Sequence, residues 1–428
     1  MVRAPLTGCD AHFLALERMM GRSGQGRAVG LTVLKLEGAF DRAALETAAR
    51  RFSQSHPLLH GSVREGFFKA PEWIAEPPFA DDAVPVLEHR GVPLDSLCRE
   101  LLNTEPLRAF EFHILREGGD CRIVARWLHA LFDGVGAGLA FQEIAKLAAN
   151  PPTESSIKTS WGIPEAQRWP LLEEWRLARK FVEWREGLEP LDYSAFSEQS
   201  AGKSPVRFRT IHFEAAETSR IHDRAGHLTG GIFFMPFFLA AAARAHAAVL
   251  NARGIPPRSL LCPLPAQMRK NAAEHPIFQN QICVLFFKIP GVSLRDLADS
   301  ARAVHVQFDR ALRGGFDAAS GAMLSLLRRL PRRLHTAFLL AESRGRLASF
   351  HHSHTGEFLP RVTEFCGARL VDGWHIPSVP QPPGSGIFFS ECRGRLSATI
   401  SWRENSASEG EIDTMEKSLR ADLLGENP

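Results

Sequence analysis

The sequence predicts a mixed α/β fold in two similar halves, and three observations carry this. Short apolar, β-branched runs alternate with amphipathic stretches along the whole chain. The polar, proline-bearing segment Asn150-Pro151-Pro152-Thr153-Glu154-Ser155-Ser156 separates one such series from the next. A chain of 428 residues also lets each half bury its own core, at about 200 residues apiece. With the boundary in the region 150–165, the expected lobes are residues 1–160 and 161–428.

The elements follow in order. Residues 30–36 read as a strand, being apolar and β-branched. Asp41 is a good N-cap for an amphipathic helix over 42–53. Residues 110–115 and 121–128 read as two strands joined by the turn Glu117-Gly118-Gly119-Asp120. A glycine-rich turn and a helix over 135–148 come next. After the linker, a Trp-rich helix is expected over 165–187, interrupted near Pro170. Residues 206–213 and 282–289 read as strands; 232–250 and 294–312 read as helices. Strands recur at 348–352, 367–371, 387–391 and 396–402, and a last helix covers 409–423.

Composition narrows the function. With 51 basic and 48 acidic residues the net charge is +3, too balanced for nucleic acid to be the expected partner. The longest apolar stretch, 230–250, is broken by Pro236, Arg244 and His246, so it reads as a buried helix and no integral membrane contact is expected. Seven scattered cysteines without a CxxC fit reduced thiols, and a cytoplasmic location. The aromatic set is 29 Phe, 8 Trp and one Tyr, Tyr193, which leaves little phenol chemistry. Neither GxxxxGK[ST] nor GxSxG occurs. Gly134-x-Gly136-x-Gly138 has Leu139 where a dinucleotide fingerprint needs its third glycine. His352 and His354 share a strand face, but a third ligand at a recognisable spacing is missing, so no metal is expected. The basic run Arg328-Arg329-Leu330-Pro331-Arg332-Arg333 reads as a solvated helix end or, alternatively, a landing patch for phosphates or an acidic carrier.

One stretch carries chemistry: Arg126-Trp127-Leu128-His129-Ala130-Leu131-Phe132-Asp133-Gly134. His129 leaves a strand at its end, where a side chain can enter a cleft. Asp133 returns behind it, and Gly134 is expected to let the backbone turn into a helix without a Cβ clash. A histidine so placed can take a proton near neutral pH.

This His-x-x-x-Asp-Gly stretch resembles the HxxxDG motif of the chloramphenicol acetyltransferase-like superfamily, which includes condensation domains. Other blocks resemble that family in the family's order. They are Leu6-Thr7-Gly8-Cys9-Asp10-Ala11-His12-Phe13-Leu14; residues 36–45 with His56-Pro57-Leu58-Leu59; Pro263 to Arg269 with Phe278-Gln279-Asn280-Gln281; and Ser353-His354-Thr355-Gly356. The chain departs from the family at Leu128, where many members carry a second histidine. Gln279 stands for the glycine of F-G-N and His354 for the asparagine of S-N-x-G. The DFGWG motif of the plant enzymes is absent.

The resemblance implies two acetyltransferase-like lobes in a V, with a tunnel between them and His129 at its middle. It implies an acyltransferase with no permanently bound cofactor. The donor would be a thioester of coenzyme A or of the phosphopantetheine arm of an acyl or peptidyl carrier protein; the acceptor would be a small alcohol or amine. His129 would be the general base. Asp133, Gly134 and Arg269 would support its loop, with Arg269 pairing Asp133. Ser353, Thr355, His354 and Asn280 would be oxyanion or tunnel residues. A free-standing condensation-type enzyme that forms an amide, and a catalytically idle binding module of the same fold, remain open alternatives.

Overall fold

The computed structural model describes the chain apart from residues 1, 66–70, 77–83, 118–119, 151–168, 189–191, 198–203, 232, 270–276, 343–344 and 427–428. The first half runs β1 (Val2–Pro5), α1 (Gly8–Arg22), β2 (Val29–Glu37), α2 (Arg42–Ser55), β3 (Ser62–Arg64), β4 (Glu72–Ala75), β5 (Val86–Arg90), α3 (Leu94–Asn103), β6 (Phe110–Glu117), β7 (Asp120–Leu128) and α4 (Gly134–Ala149). There follow α5 (Leu171–Glu186), β8 (Val206–Phe213), α6 (Ala215–Thr229), α7 (Met235–Ala252), β9 (Ser259–Gln267), β10 (Ile282–Pro290), α8 (Leu297–Arg313), α9 (Phe316–Leu327) and α10 (Arg332–Glu342). The chain closes with β11 (His351–Glu357), β12 (Glu364–Phe365), β13 (Ala368–Pro377), β14 (Ser385–Cys392), β15 (Arg395–Arg403) and α11 (Glu409–Leu424).

Two main sheets carry the fold. One has six strands in the order β12-β13-β2-β7-β6-β5, the other four in the order β11-β14-β15-β8. A cut at residue 160 separates the sequence but not the first sheet. Strand β13 crosses back from the second half and pairs antiparallel with β2, placing Trp374 opposite Val33 and Ile376 opposite Leu31. Its neighbour β14 lies in the other sheet, so the short link between them ties the halves together. The first sheet packs a Phe-rich core that includes Phe52, Phe110, Phe132, Phe141 and Phe278. In the second half α7 is apolar apart from Arg244 and His246 and is buried on almost every side, from Pro236 to Leu250. No described helix is long and apolar enough to cross a membrane. All seven cysteines are buried and unpaired.

Local chemistry accounts for the elements that position the site. Thr7 and Asp10 form a capping box that starts α1. Asp133 caps α4 with extended backbone, and its Oδ1 accepts from Gly136 N at 2.7 Å. The expected strand 348–352 begins later, at His351, where parallel pairing with β14 starts. Ser349 is occupied instead with Leu261, through its main-chain N at 2.7 Å and its Oγ at 2.8 Å. Strand β9 went unread because Pro263 and Pro265 lie inside it. Among the described residues it pairs only with β10, and the Val284 N–H opposite Pro265 turns to Ser320 Oγ at 3.1 Å. The Trp-rich helix starts at Leu171, just after Pro170. Its expected first residues, the linker beyond Asn150 and the tip of the 117–120 turn lie outside the described residues.

Candidate active site at the His129 turn

Strand β7 ends at Leu128, and His129 is the first residue of the turn that leads to α4. Its main-chain N–H donates to Ala28 O at 2.9 Å. The imidazole is partly buried between two aromatic rings. Phe13 of α1 stacks on it, with centroids 3.8 Å apart and planes 20° apart. Trp127 meets it edge-on at 5.5 Å. Nδ1 is shut off from solvent, beside the residue's own main chain and without a partner of good hydrogen-bond geometry. Burial pushes the ring below the usual histidine pKa, outweighing the opposing pull of its own carbonyl, of Asp133 and of Asn280. A neutral imidazole at pH 7 with one nitrogen enclosed presents the other, Nε2, for proton transfer.

Asp133 points away from this task. Its Oδ2 accepts from Arg269 Nη1 at 2.6 Å and from Gln281 N at 2.9 Å, while Oδ1 caps α4. Both partners of the ion pair are almost wholly buried, at 4% and 2% side-chain exposure, so each charge depends on the other. Arg269 also reaches Gln267 Oε1 at 3.1 Å. The pair therefore fastens the His129 turn to the segments around β9 and β10.

Gly134 is favoured by space and not by backbone freedom. Its φ is not in the left-handed region; a Cβ there would stand 3.1 Å from Thr355 Cγ2. Gly136 is tighter still, since a Cβ would lie 2.4 Å from Ile277 O. Gln279, at the family's glycine position, does adopt left-handed backbone, with φ of 71°. It is held there by Gln279 N to Leu131 O at 2.8 Å and Nε2 to Pro5 O at 2.6 Å.

The four oxyanion and tunnel candidates divide. Asn280 Nδ2 donates to His129 O at 2.8 Å and to Asp10 Oδ1 at 2.9 Å, which engages both amide hydrogens within the protein. His354 binds Glu391 Oε1 at 3.0 Å through Nε2, and His222 reaches the same oxygen at 3.2 Å. Thr355 donates its hydroxyl to Phe389 O at 3.3 Å and turns its methyl towards Gly134. Of these four side chains, the Ser353 hydroxyl alone makes no hydrogen bond within the described residues. His352, on the same strand, pairs its Nδ1 with Ile387 O at 3.0 Å. The basic run is partly tied down as well. Arg328 donates to Leu6 O at 2.7 Å, Arg329 pairs with Glu174 at 2.7 Å and Arg332 with Glu65 at 2.5 Å.

Two residues of the site had no role from sequence. Phe13 is one. Asp10 is the other: wholly buried, it accepts Asn280 N at 2.7 Å and Thr7 N at 2.9 Å in addition to Asn280 Nδ2. Burial raises its pKa to about 6 against the downward pull of these bonds. The capping-box pattern Thr7-x-x-Asp10 was visible, but not the contact with a residue 270 positions away. A larger cleft of about 480 Å³, lined by Arg99, Arg122, Arg207, Arg209, Trp374 and others, contains no residue of the His129 turn.

Comparison with solved structures decides the architecture. The trichothecene 15-O-acetyltransferase TRI3 of Fusarium sporotrichioides superposes on 100% of this chain and 96% of its own, with a TM-score of 0.74 at 14% identity. The chain has the chloramphenicol acetyltransferase-like fold of condensation domains. Its two-lobe arrangement fits these neighbours. The starter condensation domain of rhizomide synthetase, solved in complex with C8-CoA and Leu-SNAC, matches 99% of this chain and 94% of its own (TM-score 0.65, 14% identity). The epimerization domain from the third module of tyrocidine synthetase B matches 99% and 96% (TM-score 0.65, 14% identity). No protein-family model matches the sequence, and neither does any curated protein. The condensation-domain fold thus hosts several reactions, and the chemistry has to be argued from the site.

Proposed function

We propose that this chain transfers an acyl group from a pantetheine thioester, on coenzyme A or a carrier protein, to an alcohol or amine, with His129 as general base. The observation that carries the reading is the one-sided presentation of a neutral imidazole at the strand end. Nδ1 is enclosed, Phe13 and Trp127 hold the ring, and Asp133 is engaged elsewhere. Nε2 accepts the proton from the acceptor hydroxyl or amine, whose oxygen or nitrogen attacks the thioester carbonyl. The tetrahedral intermediate then expels the pantetheine thiolate, which recovers the proton from the imidazolium. Ser353 is the remaining hydroxyl candidate for the developing oxyanion.

The acetyltransferase and condensation-domain neighbours support this class of reaction. The test is His129→Ala, assayed with a panel of thioester donors and acceptors by mass spectrometry of the products. The expected loss is about 10²–10⁴-fold in rate, and a variant as fast as the parent overturns the assignment. The likeness to condensation domains favours one second reading, amide formation from a carrier-bound donor. Comparing acyl-CoA with acyl-carrier protein separates the two.

A further inference from the structure

A second cavity, of about 280 Å³, reaches α1 one residue from Phe13, and its walls are mainly apolar: Leu16, Phe286, Met323, Leu327, Phe338 and Leu347 are among them, with Arg185, Glu186 and Ser320 also on the lining. Two histidines interrupt this lining, His12 from α1 and His351 from β11. His12 precedes the residue that stacks on His129, and it sits close enough to feel the charge of that ring. His351 lies two residues before Ser353 on the same strand face, and the next residue on that face, Thr355, touches the Gly134 position. The cavity is thus bounded on two sides by elements that run directly to the catalytic turn.

Neither histidine is explained by packing. His12 Nδ1 and His351 Nε2 are enclosed and have no hydrogen-bond partner. Burial holds both rings neutral, His12 at about 3 and His351 at about 4. A neutral imidazole in an apolar wall gives up hydration without return, where leucine or phenylalanine would pack at no such cost. Two such rings in one small apolar chamber point to a ligand that brings its own polar atom.

We propose that this cavity takes the apolar body of a substrate carrying a hydroxyl or carbonyl oxygen, and that His12 and His351 select for that oxygen. The inference rests on the acyl-transfer reading for the direction of the substrate, since His12 and His351 belong to elements whose Phe13 and Thr355 meet the His129 turn. The oxygenated chain can belong to the acyl donor or to the acceptor, and the shared chemistry is an oxygen on an otherwise apolar chain.

The experiment uses matched pairs in two arms. One compares octanoyl- with 3-hydroxyoctanoyl-pantetheine and a common acceptor. The other compares 1-octanol with 1,3-octanediol and a common donor. In at least one arm the oxygenated member is expected to be preferred by about tenfold or more in kcat/KM, the effect of one well-placed hydrogen bond. That preference is expected to collapse towards one in His12→Phe and His351→Phe, and to survive in His12→Gln or His351→Asn, which keep a polar nitrogen. Equal use of both members in both arms overturns the proposal, as does a preference untouched by the Phe variants. Calorimetric binding of the same four compounds to the parent gives a readout that needs no turnover. Selective binding by an inactive parent removes the acyl-transfer reading and leaves the cavity assignment standing; absence of selectivity in an active parent does the reverse.

Discussion

Asp10 accepts two hydrogen bonds from Asn280, from the main-chain N at 2.7 Å and from Nδ2 at 2.9 Å. Asn280 in turn donates to His129 O at 2.8 Å. The His129 turn is therefore braced from α1 through a residue just before β10, and a fault at either position reaches His129 through the main chain.

Asn280→Ala is expected to lower kcat more than it changes KM, because the positioned group is the base and not a binding surface. It also leaves Asp10 buried with fewer donors, at a cost of about 1–3 kcal/mol in stability. Urea denaturation and steady-state kinetics of the same preparation check both. A variant with normal kcat and a raised KM contradicts the positioning role.

The ion pair between Arg269 and Asp133 predicts strong non-additivity. Arg269→Met strands a buried carboxylate and is expected to destabilise the fold by about 3–5 kcal/mol. Asp133→Asn strands the guanidinium similarly. The double variant removes both charges, so its loss should fall well short of the sum. Equilibrium unfolding of the four proteins closes the cycle, and simple additivity means the pair is not coupled.

These supports were unequally legible in the sequence. His129, Asp133 and Gly134 lie within one local run, and Arg269 stood in a block whose order along the chain could be matched. The Asp10–Asn280 contact joins segments 270 residues apart, and no pattern announces it. The oxyanion and tunnel candidates show a different limit. A motif lists side chains able to donate, while competition in three dimensions decides which are spent, and Asn280, His354 and Thr355 are spent on His129 O, Glu391 and Phe389 O. Strand β13 was expected only over 367–371, the first part of Ala368–Pro377, and not in its sheet, because pairing with β2 depends on a crossover that local propensity does not encode.

Asp10 also predicts how stability responds to acid. Its pKa is raised to about 6 in the folded chain against an ordinary value of 3.8. Between those values the folded state binds the proton more tightly than the unfolded state does. Asp10 therefore makes a contribution that is fully present below 3.8 and lost as pH rises through 6. In urea titrations from pH 4 to pH 7, Asp10→Asn should remove that component of the decline relative to the parent. Parallel curves for the two proteins contradict the assignment.

The pH profile of transfer reports on His129 directly. Burial lowers its pKa below 6.5, so kcat/KM should rise with pH through an inflection below 6.5 and be level at neutral pH, where the base is already unprotonated. An inflection above 6.5 means that the ring is not desolvated as its surroundings require. The measurement needs an acceptor that does not itself titrate in this range, so an alcohol is preferable to an amine.

Phe13 supplies the sharpest separation between holding the base and merely filling space. Its ring lies 3.8 Å from the His129 ring at 20°, close to parallel, and such a pair restricts rotation about the imidazole's bond to the backbone. With Nδ1 enclosed on the main-chain side, that restriction keeps Nε2 aimed at one point. Phe13→Leu preserves much of the apolar volume and removes the flat partner; Phe13→Ala removes both. If the stack aims the base, both variants lose kcat, by about tenfold or more given the sensitivity of proton transfer to misplacement, and Phe13→Tyr, which keeps the flat face, recovers most of it. If Phe13 only fills space, Phe13→Leu behaves as the parent and the loss in Phe13→Ala tracks its lowered stability. Kinetics and denaturation of the three variants distinguish these outcomes.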